Sequence, residues 1–325
     1  MIRTNNSGFF KMILHFTLTL RVQKKFHCRK ISLLLKYFYK TIGGFMKKPV
    51  IYAVMCHKGG TGKTTTISAL ADAFSKISKK VLIIDADEQS NIKTIFGIKL
   101  QNSEGGLAAI LLNNVNPQNM TVKVRENIDV ILSGGRFMRD FEKTHANTPD
   151  SELLLELRMN SISGYDIILI DTPPALSLIS TNIVTYSDYL LLPCSPDLLS
   201  VVGVKNTLNF VENIESHYKN KKIKIAKVLG IIPTMHDGRR NLDMDILDDL
   251  QRLEDANLLR GGHVFSPIRI DIKVKTAQVK RKLLSESFPD SKAAQDYSAV
   301  AQQVLEATQK QKAHTLSRSS PEAML

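Results

Sequence analysis

The stretch Val50-Ile51-Tyr52-Ala53-Val54-Met55-Cys56-His57-Lys58-Gly59-Gly60-Thr61-Gly62-Lys63-Thr64-Thr65 passes from a short β-branched apolar run, through a glycine-rich turn, into helix-period sequence. A buried strand that opens through such a turn into a helix is the context a phosphate-binding loop requires. Glycines without Cβ let the main chain wrap a phosphate chain, while the free N–H groups and dipole of the first helical turn point positive potential at it. Gly59, Gly60, Thr61, Gly62, Lys63, Thr64 and Thr65 form the expected cradle. Lys63 is expected to pair with β and γ phosphates, and the Thr64 hydroxyl to sit on Mg²⁺. The plainer alternative, a glycine turn before an ordinary helix, leaves Gly-Lys-Thr-Thr without a packing purpose.

From Lys47 onward, short β-branched runs alternate with longer helix-period segments, the pattern of a parallel sheet covered by helices. Strands are expected at about 50–55, 80–85, 128–132, 166–171, 188–193 and 226–232. Helices are expected over 62–78, 151–159, 197–218, 242–253, 276–285 and 293–311. The fold class is therefore α/β, a mainly parallel twisted sheet flanked by helices on both faces, as in P-loop NTPases. Residues 46–312 form the expected globular domain, and 313–325, without periodicity, a loose tail. Two further expected strands end in acids, Asp85 and Asp171, at the carboxyl edge where α/β sheets bind ligands.

The 325 residues, 43% of them hydrophobic, exclude a disordered or fibrous chain. Three cysteines, Cys28, Cys56 and Cys194, are odd in number and form no C-x-x-C pair, which supports neither a disulfide framework nor a metal cluster and fits a reducing compartment. The formal charge of +13 is uneven: residues 1–45 hold nine Lys or Arg and no acid, leaving +4 for residues 46–325. Three readings suit that leader: a targeting peptide, a membrane-surface anchor, or an upstream stretch that is not translated. Lys11 and His15 interrupt the apolar stretch of a secretory signal, and no run reaches the roughly 18 apolar residues a membrane span needs. The third reading has specific support. Ile42-Gly43-Gly44-Phe45-Met46 can be encoded ATA-GGA-GGT-TTT-ATG, which contains the bacterial ribosome-binding sequence AGGAGG, so translation from Met46 is expected.

The general phosphate-loop pattern wants Gly where His57 stands. In its place the loop begins with a second lysine, Lys58. The run resembles the deviant Walker A motif K-G-G-x-G-K-[ST]-T of the ParA/MinD superfamily of P-loop ATPases. That resemblance implies two ATP molecules sandwiched in a homodimer, with Lys58 crossing to the partner's nucleotide and stabilising the transferring phosphoryl group in trans. Leu82-Ile83-Ile84-Asp85-Ala86-Asp87-Glu88-Gln89-Ser90-Asn91 is similar to the family's D-x-D-P-Q-x-N segment, with Glu88 in place of Pro. By that likeness Asp85 lies near the metal and Asp87 positions the attacking water. Tyr165 to Pro174 resembles the Walker B strand and D-x-P-P turn, so that Asp171 holds Mg²⁺ through water. The implied catalytic residues are Lys58, Lys63 and Asp87, and the implied metal residues Thr64, Asp85 and Asp171.

The likeness runs from about Lys48 to Glu306 and favours the partition branch. Asn182 sits where that branch has a nucleotide-contacting Asn, and Pro233, Thr234 and Met235 stand where it holds the adenine. Ile231 to Leu242 resembles the family's strand and D-x-R-T-N-L stretch, with Arg240 where Thr is usual. The terminal Ser-Arg-Ser-Ser-Pro-Glu-Ala-Met-Leu has too little apolar surface for a MinD-type membrane helix, so no stable membrane association is expected. Cys194 alone does not supply the cluster ligands of the nitrogenase iron-protein branch. The leader shows no helix-turn-helix pattern. In the partition branch DNA binding is nonspecific and needs the ATP-bound dimer. Arg269, Lys273, Lys275, Lys280, Arg281 and Lys282, against the single acid Asp271, suit that task, and Arg239 and Arg240 add to the patch. Here Ile270-Asp271 replaces the family's R-N, leaving Lys273 closest to its next arginine. The resemblance thus implies plasmid or chromosome partition with a ParB-like partner, in the cytoplasm and on the nucleoid. Two other expectations remain: a ParA-like regulator that positions a protein cargo, and a kinase or ligase of related ancestry, for which no acceptor-binding motif is visible.

Overall fold

Runs in which every residue is apolar become inner strands, because a parallel sheet covered on both faces buries both sides of each strand. The computed structural model describes residues 48–99, 105–146, 148–221 and 223–318. The expected strands are present as β1 (Val50–Val54), β2 (Val81–Asp85), β4 (Ile128–Ile131), β5 (Ile167–Asp171), β6 (Tyr189–Cys194) and β7 (Lys227–Pro233). Two more, β3 (Val122–Arg125) and β8 (His263–Val264), were not expected. Together they form one sheet in the order β3-β4-β2-β5-β1-β6-β7-β8. The pairs are parallel except β3 with β4.

Side chains alternate across this sheet with period two. Tyr52, Val54, Val81, Ile83, Ile167, Leu169 and Leu191 face one core, with Ile67, Leu70, Ala71 and Phe74 of α1 (Lys63–Lys76) and Tyr297, Val300 and Val304 of α11 (Lys292–Arg318). Ala53, Leu82, Ile84, Ile168, Ile170, Leu190 and Leu192 face the other core. That second face is covered from α3 (Leu107–Asn113), α4 (Phe137–His145), α5 (Leu154–Met159), α6 (Leu178–Tyr186), α7 (Leu198–Tyr218) and α8 (Asn241–Asp255). The short helices α2 (Asn91–Ile95), α9 (Ile272–Val279) and α10 (Leu284–Ser287) complete the chain order.

The differences from expectation have local causes. The helix expected over 276–285 is two helices, because Arg281 takes a left-handed φ of 55° and ends the first. The tail expected from 313 is helical as far as Arg318, since no Gly or Pro interrupts the chain between Lys292 and Arg318 and an established helix propagates at little cost. The leader 1–45 and residues 319–325 lie outside the described residues. No helix among the described residues is long and apolar enough to cross a membrane.

Because Phe74 is fully enclosed between α1 and the sheet, Phe74→Ala is expected to cost about 3–5 kcal/mol. Denaturant unfolding checks this, and a cost below about 1 kcal/mol would contradict the packing.

Candidate nucleotide site

The order of strands creates the site. β1 lies between β5 and β6, so the chain leaves the sheet in opposite directions around it, the arrangement that opens a crevice beyond the carboxyl ends of the strands. Register then aligns three strand ends: Val54 pairs with Asp171, and Asp171 with Asp85. The loop after β1 curves over this row. Gly60 and Gly62 have φ of 80° and 88°, conformations a residue with Cβ resists, and a Cβ at Gly59 or Gly60 would meet no atom within 4 Å.

Lys63 opens α1 and is buried. Its Nζ donates to the Lys58 carbonyl at 2.8 Å and the Cys56 carbonyl at 3.3 Å. Burial lowers its pKa, while the nearby Asp171 and Asp87 work in the other direction. Asp171 is 1% exposed, and neither carboxyl oxygen has a partner in hydrogen-bond geometry among the described residues. Burial pushes its pKa up to about 7, against the pull of the Thr64 hydroxyl and the Lys63 ammonium beside it. Asp85 is pushed well above the usual carboxylate range by burial and then by Asp171. Its oxygens accept from the Asp87 N–H at 3.1 Å and the Ser90 hydroxyl at 3.0 Å. Asp87, also buried, accepts from the Gln89 N–H at 3.0 Å.

Two enclosed carboxyls beside a threonine hydroxyl form an oxygen donor set suited to a hard divalent cation. Among the described residues no three His, Cys, Asp or Glu close into a metal cage. Mg²⁺ takes one or two protein oxygens and completes its shell with water and phosphate.

Lys58 lies at the rim. Its Nζ pairs with Asp197 at 2.5 Å and donates to Ser200 Oγ at 3.0 Å. Asp197 is also the N-cap of α7, accepting from the Ser200 N–H. Against the upward push of burial, hydrogen bonds from Lys58, Ser195 and Ser200 hold its carboxyl down at about 2. Gly203 lets α7 approach, since a Cβ there would lie 3.2 Å from Cys56 Sγ and from Lys58 Cβ. At the other rim Thr234, after the end of β7, donates to the Thr61 carbonyl at 2.9 Å, and Met235 beside it is exposed with φ 54°. The structure therefore brings Thr234, flanked by Pro233 and Met235, to the loop.

Asn182, expected at the nucleotide, has a structural place here. It is fully buried in α6, donating to the Ser151 and Leu178 carbonyls and accepting from the Leu155 N–H, so it braces the start of α5 and offers no exposed group to a nucleotide. The basic residues divide. Arg239 forms a two-pronged pair with Asp237, Arg240 lies 3.7 Å from the same carboxylate, and Arg269 pairs with Asp296 at 2.7 Å. Lys273 and Lys280 lie over the Phe288 ring at 5.9 and 5.1 Å. Lys275, Arg281 and Lys282 are exposed. Sequence reasoning missed Asp197, although Ser195-Pro196-Asp197 before a helix is an N-cap signal. It also missed Gln278 of α9, which donates to the Thr65 hydroxyl at 2.9 Å and ties the basic segment to the loop helix, a pairing no local pattern announces.

The Asp171 shift carries a sign. An acid whose folded pKa is raised contributes stability below its unfolded pKa, about 3.9, and loses it as pH rises through the folded value. Without nucleotide and with chelator present, Tm is expected to fall between about pH 4 and about pH 7, and Asp171→Asn to flatten that slope. An identical slope in the variant would show that the acid is not held neutral.

A family model described as an AAA domain matches residues 49–225. The chain is 28% identical over 242 residues to the virulence plasmid ParA family protein pGP5-D of Chlamydia psittaci, covering 74% of this chain and 88% of that one. It is 30% identical over 204 residues to the sporulation initiation inhibitor protein Soj of Bacillus subtilis, covering 62% and 79%. The fold is similar to that of a variant of McdA from Cyanothece in complex with ATP, with a TM-score of 0.69 at 24% identity over 80% of this chain and 96% of that one. With its phosphate loop, its two acid-ended strands and a family match over more than half its length, the chain belongs to the ParA/MinD superfamily of P-loop ATPases.

Proposed function

We propose that this chain is a partition ATPase: it closes on ATP as a sandwich dimer, binds DNA without sequence preference in that state, and is reset by hydrolysis that a ParB-like partner stimulates. The observation that carries this reading is the pair of lysines on one loop with different surroundings. Lys63 is enclosed among the candidate metal acids, while Lys58 stands at the rim on an ion pair that a second subunit can compete for. Beside Lys58, the first turn of α7 exposes Leu198 and Leu199, each 68%, and Val202, 45%. An apolar rim next to a cation fits a second copy of the chain carrying a triphosphate. The names of the relatives, a virulence-plasmid ParA family protein and Soj, support the same task.

In this reading the loop amides of residues 59–64 and the Lys63 ammonium hold the phosphates, and Thr64, Asp85 and Asp171 hold Mg²⁺. Mg²⁺ held there would supply a Lewis acid against the charge on the phosphate oxygens. Asp87 orients the attacking water, and Lys58, released from Asp197, meets the developing charge on the nucleotide of the neighbouring subunit. Thr234 and Met235 line the base edge. On the DNA side Lys275, Arg281 and Lys282 act first, since Arg239, Arg240 and Arg269 are already paired within the chain. Counterion release gives that contact its affinity and its salt dependence.

DNA retention with ATP, ADP or no nucleotide across a salt series tests the reading. Retention is expected with ATP only and to fall steeply with salt, and Lys58→Ala and Lys63→Ala are each expected to abolish it. Replacing Lys275, Arg281 or Lys282 by Ala is expected to lower the salt slope by about one each. ATP-dependent retention that survives Lys58→Ala would overturn the sandwich switch.

A further inference from the structure

Helix α4 reaches both loops that carry the candidate acids. From one edge, Arg139 makes a two-pronged pair with Glu88, its Nε on Oε2 and its Nη2 2.8 Å from Oε1. Glu88 directly follows Asp87, at the position where the resembled motif has Pro. One turn later Glu142 reaches the other loop. Its Oε1 accepts from the Ser177 hydroxyl at 2.6 Å and the Ile179 N–H at 3.0 Å, and its Oε2 from the Leu178 N–H at 3.2 Å.

Ser177 is the N-cap of α6, the helix that follows the Asp171-Thr172-Pro173-Pro174 turn, and its own side chain caps nothing. Glu142 therefore supplies from outside the acceptor that the first N–H groups of a helix lack, with a charge that suits the positive end of the helix. Met138 and Phe141, buried in the core, hold α4 in place beneath these two contacts.

Proline at position 88 would restrain the loop through its own ring. Glutamate has no such stiffness, and here the restraint comes from a planar guanidinium gripping both carboxylate oxygens. An exposed ion pair adds little to stability, and Arg139 is 65% exposed. Its consequence here is geometric: two anchors a turn apart on one helix restrain the Asp87 loop and the Asp171 turn relative to each other. A small displacement of a water-positioning group is costly in rate.

We propose that α4 is a clamp joining the two acid-bearing loops, with Arg139 and Glu142 as positioning residues for hydrolysis and with Arg139 taking over the restraint that proline exerts in the resembled motif. The role in hydrolysis rests on the ATPase reading above.

The full chain is assayed for ATP hydrolysis, with kcat and KM separated, and for amide hydrogen exchange without nucleotide. Arg139→Ala and Glu88→Ala are each expected to lower kcat roughly tenfold with little change in KM. The exchanged pair Glu88→Arg with Arg139→Glu is expected to recover most of the loss, and so is Glu88→Pro combined with Arg139→Ala. Exchange is expected to quicken at residues 86–90 in Arg139→Ala and at 178–179 in Glu142→Ala, with the central strands unchanged. An unaltered kcat in Arg139→Ala, a charge exchange no better than either single variant, or unaltered exchange at both loops would overturn the clamp. If the unmodified chain hydrolyses no ATP, the ATPase reading falls, and the exchange comparison alone decides whether α4 holds the two loops.

Discussion

Two carboxyls, Asp85 and Asp171, sit side by side in register at the ends of apolar strands and almost wholly out of contact with water. Ionising either one there is unfavourable, because burial raises both pKa values and Asp171 raises that of Asp85 further. Such a pair persists in a fold only when the surroundings over-determine it, and here a parallel sheet buried on both faces does so. The rest of the site follows from relieving that charge. Lys63 is held close by two loop carbonyls, Thr64 presents a hydroxyl, and neither Asp171 oxygen has a hydrogen-bond partner among the described residues, a donor set suited to a divalent cation and phosphate.

The second lysine is governed by different physics. Lys58 is partly exposed, and its partner Asp197 must also cap α7. One carboxylate thus fixes both the helix start and the resting position of the cation. The apolar side chains of that helix's first turn face outward beside the pair, so any surface that covers them also competes for the lysine. In the proposed dimer this one ion pair would link nucleotide, second subunit and α7. Gln278 adds a link of the same kind on the other side, joining α9 to the first turn of α1 at Thr65.

Which arginines of the basic stretches are already engaged was settled by one distant and one nearby carboxylate. Arg269 appears in a run of cations, yet Asp296 on α11 grips it, and Asp237 engages Arg239 and Arg240. The left-handed Arg281 ends α9, so Lys275 lies on the helix while Arg281 and Lys282 lie just beyond its end.

Strands β1, β2 and β5 and the loop after β1 were legible in the residues themselves, because uniform apolar runs and a glycine turn act through local sterics and burial. Lys63, Thr64, Asp85 and Asp171 could be named for the same reason, each standing where a strand ends or a helix begins. Helix α4 was not legible: Phe137 to His145 is short and has few apolar residues, and its stability comes from Met138 and Phe141 packing on the core. Nor was the duty of Asn182, whose position in a motif says nothing of the three backbone groups that surround it. The order of chemistry along the chain is thus written in short-range patterns. Which carboxylate holds Lys58, that Asp296 grips Arg269 and which helix grips both acid loops depend on contacts between residues far apart in sequence, and only packing creates those contacts.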